Sequence, residues 1–135
     1  MTERAHNTVP SPHDPRDHVA EGIFERQPAA ESRVVSAFPP PPAAYDMRPL
    51  LTPVRDQGST STCSAQTAAC MKEWQERVDA GFAQHMSPQF VYNRRPNAPG
   101  DGMNGRDTMK ILRVAGICPE STFPFGSTGF GDAAA

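Results

Sequence analysis

The sequence predicts a mainly α-helical domain behind an irregular, proline-rich leader. Three observations carry that prediction. Fifteen prolines occur in 135 residues, and eight of them precede residue 43. A run of helix-forming residues starts at Cys63 and meets a glycine at Gly81. Ser87-Pro88 and Gly116 then mark a second helix start and a later helix end.

Residues 1–44 read as a leader. Pro10, Pro12, Pro15 and Pro28 punctuate it, and a four-proline run at 39–42 favours an extended polyproline spacer. Such a segment buries too little apolar surface to offset chain entropy, so disorder is expected. The functional reading is a pro-segment that covers a cleft. Val19-Ala20-Glu21-Gly22-Ile23-Phe24 is the one stretch in it able to form a helical turn or dock.

The domain is expected over 45–126. Pro49, Leu50, Leu51, Thr52, Pro53 and Val54 make a short extended opening whose prolines exclude a central strand. A loop from Arg55 to Thr62 follows, with Gly58 permitting a tight bend. The first helix is predicted over 63–80, capped by Ser61 or Thr62 and ended by Gly81. Ala65, Ala69, Trp74 and Val78 fall within one broad face of it. The second helix opens with Ser87 as N-cap and Pro88 at its first position, and Arg94, Arg95 and Pro96 close it. After a glycine-rich loop at 97–105, a third helix runs from about Arg106 to Ala115, with Met109, Leu112 and Val114 as apolar positions. Residues 127–135 read as an unstructured, truncated end.

Bulk properties narrow the function classes. The net charge is −2, and no basic stripe interleaved with aromatics invites nucleic acid. The sequence has no apolar run of membrane-spanning length. The N-terminus lacks the apolar stretch of a secretory signal, so a cytoplasmic or otherwise intracellular location is expected. Three cysteines, none in a CxxC pair, argue against a disulfide framework and against zinc. No cofactor or metal is expected.

The chemistry concentrates at Cys63. A thiol attacks as its thiolate, which a helix N-terminus stabilises through unpaired N–H groups and the helix dipole. Acyl transfer also requires donors aimed at the developing oxyanion. The Cys63 backbone N–H can be one, and the side-chain amide of Gln57, carried back by the bend at Gly58, can be the other. The competing reading is an inert cysteine and a loop amide that satisfies nearby backbone. Cys70 and Cys118 read as core thiols.

Four motifs then occur in order. They are Thr52-Pro53-Val54-Arg55-Asp56-Gln57-Gly58 with Cys63, Met86-Ser87-Pro88-Gln89-Phe90-Val91-Tyr92, Asp101-Gly102-Met103-Asn104-Gly105, and Gly116-Ile117-Cys118-Pro119-Glu120-Ser121 with Phe123-Pro124-Phe125. Over residues 45–126 this series resembles the papain-like cysteine peptidases, specifically their mainly helical N-terminal lobe within an α+β fold. The resemblance implies Cys63 as nucleophile, Gln57 as oxyanion-hole donor, and Asn104 and Gly105 in the loop that pairs with an extended substrate peptide. It also implies three departures. Ser64 stands where the family usually has Trp. Thr60 and Met103 stand where many members have a bridged pair of cysteines. Arg106 replaces a second glycine.

The family's His and Asn lie about 130–150 residues beyond the cysteine, outside these 135 residues. His85 lies between two helices and reads as a solvent-facing loop residue rather than the base. The expectation is therefore a peptidase that hydrolyses peptide bonds through a Cys63 thioacyl intermediate. Its partners would be a peptide or protein substrate and a C-terminal lobe, and this chain alone would be inactive. The alternative is a non-catalytic peptide- or protein-binding module built on the same lobe.

Overall fold

Helix formers from Cys63 to Ala80 give the longest element of the computed structural model, which describes residues 9–16 and 42–130. Helix α1 spans Cys63–Ala80. Gly81 ends it in the left-handed conformation at φ 67°, and its N–H bonds the Arg77 carbonyl at 3.1 Å. Helix α2 spans Pro88–Tyr92. The Ser87 hydroxyl caps it by accepting from Phe90 N–H at 3.0 Å, as the Ser-Pro pair predicts. Helix α3 spans Gly105–Ala115 and ends at Gly116. The described residues are thus mainly helical. Strand geometry is limited to single bridges such as the antiparallel one between Met86 and Pro119. No helix among them is long and apolar enough to cross a membrane.

The chain divides into two units, residues 1–11 with 47–135, and residues 12–46. In the second unit, Arg16 turns back onto Asp14 and pairs with it at 2.6 Å. In the first, residues 9–11 join the helical body, where Val9 N–H donates to the Met103 carbonyl at 3.4 Å. The expected helical turn at 19–24 and the proline run up to residue 41 lie outside the described residues.

The core gathers Ala65 of α1, Val91 and Tyr92 of α2, Met103 of the loop and Ile111 of α3. Burying each large member is worth about 1.5–3 kcal/mol. The Tyr92 hydroxyl accepts from Gly102 N–H at 3.0 Å, which ties the loop to α2. The buried guanidinium of Arg95 lies 3.9 Å from the Tyr92 ring centroid and donates to the Tyr92 and Gly100 carbonyls.

Several local expectations are corrected. Helix α1 buries Ala65, Ala68, Ala69 and Glu73, while Val78 is 54% exposed. The face predicted from Ala65, Ala69, Trp74 and Val78 is therefore split between two sides. On α3, Thr108 and Ile111 face inward, and Met109 and Val114 are exposed. Arg48–Leu50 forms a 3-10 turn instead of extended chain. Helix α2 stops at Tyr92, before Arg94 and Arg95. Residues 127–130 are not unstructured: the Thr128 hydroxyl accepts from Asn93 Nδ2 at 2.7 Å, and Phe130 meets Tyr92 edge-on at 6.1 Å. Asn93 in turn accepts from Gln89 Nε2 at 2.9 Å, and Gln89 Oε1 accepts from Gly126 N–H at 3.0 Å. Residues 131–135 lie outside the description.

Candidate active site

Helix α1 starts at Cys63, so the thiol sits on the first turn, where backbone N–H groups lack intrahelical partners. Thr62 occupies the N-cap position, yet its side chain makes no cap hydrogen bond. Its hydroxyl meets that of Thr60 instead, at 2.8 Å. The expected cap is thus right in place and absent in bonding. That leaves the positive end of the helix without the hydroxyl oxygen that usually covers it.

The loop before the cysteine is closed by its own polar groups. Gly58 takes φ 61°, a left-handed turn that costs glycine little, and its N–H bonds Asp56 at 2.9 Å. Gln57 Nε2 donates to the Thr60 carbonyl at 2.8 Å. Thr60 answers through its hydroxyl, which donates to the Gln57 carbonyl at 2.7 Å. The Gln57 amide is therefore engaged in bracing the turn that delivers Cys63.

Asn104 has a role that sequence reasoning missed. Its Oδ1 accepts from Asp107 N–H at 2.9 Å, and its Nδ2 donates to Asp107 Oδ2 at 2.7 Å. It is the N-cap of α3, tied to Asp107 by a backbone and a side-chain hydrogen bond. The signal was present as Asn-x-x-Asp before a helical run. Gly105, the first residue of α3, is exposed, and a Cβ added there would meet nothing within 4 Å. The structure brings the loop and the nucleophile helix together through Ser64, whose hydroxyl donates to the Met103 carbonyl at 3.1 Å. Residues 9–11 reach the same loop, where the Ser11 hydroxyl lies 3.5 Å from Asn104 Oδ1.

Behind the site, buried Glu73 gathers the opening segment. Its Oε1 pairs with Arg55 Nη2 at 2.9 Å and accepts from Met86 N–H at 2.8 Å, and its Oε2 takes the Thr52 hydroxyl. Arg55 also pairs with Glu120 at 2.6 Å and donates to the Met86 carbonyl at 2.9 Å. His85 belongs to this node: its Nδ1 is 3.6 Å from Glu73 Oε1.

The outward face of α1 is apolar. Cys63, Thr67, Cys70, Met71, Trp74 and Val78 recur at three- and four-residue spacing and so share one side of the helix. Met71 is 53% and Val78 54% exposed. None of the three cysteines is in a disulfide, and all are half-buried. Burial pushes the Cys118 thiol above its ordinary pKa. Among the described residues, no group of three or more His, Cys, Asp or Glu is placed to hold a metal. No family model matches the chain, and a search of curated proteins finds no match.

Proposed function

We propose that the chain forms the N-terminal lobe of a papain-like cysteine peptidase. In this reading, Cys63 attacks the peptide carbonyl, and the oxyanion is received by the Cys63 N–H and by the Gln57 amide, which shares its donors with the Thr60 carbonyl. A second lobe, packed on the outward face of α1, supplies the base that takes the thiol proton and returns it to the leaving amine. One observation carries the reading. The cysteine opens a long helix whose outward face, beginning at that cysteine, carries a half-buried Trp74 between Met71 and Val78, which are 53% and 54% exposed. Large apolar groups on a helix normally pack against something.

Reconstitution with the C-terminal lobe of a papain-like peptidase tests it. Thiol-dependent hydrolysis of a peptide substrate is expected, and Cys63→Ala should abolish it. Gln57→Ala should lower turnover by about 10²–10³. Hydrolysis at the wild-type level in Cys63→Ala would remove the residue from its role.

The contact of residues 9–11 with the loop at Met103 and Asn104 favours a second reading, a peptide-binding module without chemistry. That module would bind an extended peptide equally well with Cys63→Ala and would never turn it over.

A further inference from the structure

The second residue of α1 makes its hydrogen bond in an unusual direction. A serine in a helix generally bonds its own or nearby backbone. Ser64 instead reaches across 39 residues of sequence to donate to the Met103 carbonyl at 3.1 Å. Met103 itself is 1% exposed, with its side chain in the core. The following residue, Asn104, is held by the cap of α3. The loop is thus anchored below by the core and after by α3, and Ser64 ties it to the turn that carries Cys63.

The Met103 oxygen has two acceptor positions. One takes the Ser64 hydroxyl, and the other receives the N–H of Val9 at 3.4 Å, a backbone donor from a distant part of the chain. We propose that Ser64 is a positioning residue for an extended peptide. From its place next to the nucleophile, its hydroxyl holds the Met103 carbonyl where a peptide N–H can take the position that the Val9 N–H now occupies, and so sets the register of that peptide against Cys63. The claim that the peptide is a substrate rests on the peptidase reading above. The tie between Ser64 and Met103 does not.

The test compares wild type, Ser64→Ala and Ser64→Thr in the full chain. Two readouts are followed: hydrogen exchange of the amides at 103–106, and the labelling rate at Cys63 by mass spectrometry. Labelling uses iodoacetamide and a peptidyl chloromethyl ketone with an extended backbone. Alanine is the better helix former, so α1 should not fray in Ser64→Ala. Loop exchange should rise about fivefold, as expected for losing one ordinary hydrogen bond. Iodoacetamide labelling should stay unchanged, and the preference for the peptidyl reagent should fall by a similar factor. Ser64→Thr should restore both.

Unchanged loop exchange in Ser64→Ala would overturn the tie. An equal loss with both reagents would overturn the positioning role, since Ser64 would then act on the thiol itself. A wild-type chain without preference for the peptidyl reagent would overturn the peptide role, while the peptidase reading stands or falls on the reconstitution described above. Faster loop exchange in Ser64→Ala would still uphold the tie in that case.

Discussion

The two sides of α1 are built on opposite rules. The inward side is small, with Ala65, Ala68 and Ala69 buried almost completely, and it lets α2 and α3 approach closely. Its one large member is Glu73, a charge held by Arg55, Thr52 and the Met86 N–H. The outward side carries the bulk of the helix's apolar surface and its first thiol. The bulkier apolar residues of the helix, Met71 and Val78 among them, thus lie on the side away from its own core. The lesson concerns reading apolar residues: size and hydrophobicity did not decide which side became core. Closeness of backbone approach did.

The sharpest way to break this contrast is at Glu73. Glu73→Ala leaves Arg55 with Glu120 and the Met86 carbonyl and takes the acceptor from the Met86 N–H and the Thr52 hydroxyl, and should cost about 3–5 kcal/mol in urea unfolding. A loss under 1 kcal/mol would mean the node is incidental to the fold. Next in size is Ala69→Leu, which forces a larger side chain between tightly packed helices. The expected loss is about 1–3 kcal/mol.

The outward side should respond in the opposite way. Met71→Ser combined with Val78→Ser should change stability by no more than about 0.5 kcal/mol each while reducing binding of a hydrophobic dye. Dye binding at the wild-type level would show that this face is not the sticky one. The smallest effect concerns the cysteines. Burial favours the neutral Cys118 thiol, so its alkylation should begin to rise at a higher pH than that of a free thiol in a peptide. An ordinary profile would show that the site opens to water more readily than its burial suggests.

Local signals in the sequence placed the elements well. Gly81 and Gly116 stop α1 and α3 because no side chain hinders their unusual backbone angles, and Ser87-Pro88 starts α2 because cap and ring suit those two positions. Local signals could not say which side of α1 faces the core, since apolar residues lie on both. Glu73 was illegible for a different reason. Its partners come from residues 52, 55 and 86, brought together only by the fold. At the candidate site, the place of Cys63 at a helix start was readable from helix propensity and the glycine bend. The bond from the Gln57 amide to the Thr60 carbonyl matches the competing reading, a loop amide that satisfies nearby backbone, whereas the cap made by Asn104 was not read, because a role in the loop was assigned to it before its backbone bonding was counted. Residues 128–130 were misjudged from composition, which does not register that one phenylalanine can lodge beside Tyr92.

The row of buried amides running from Gly126 through Gln89 and Asn93 to Thr128 has a direction. Each side chain offers its oxygen to one neighbour and its nitrogen to the next, so neither amide can be reversed without setting like against like. Chemical ageing strikes at such a chain of command. Conversion of Asn93 to aspartate replaces the donor facing Thr128 with a second acceptor. The hydroxyl can reverse to meet it, but a carboxylate, 3% exposed where Asn93 now lies, would exchange its hydration for the Thr128 hydroxyl and the Gln89 amide alone among the bonds Asn93 now makes. Segment 126–130 would then let go of α2, and the aromatic contact of Phe130 would go with it.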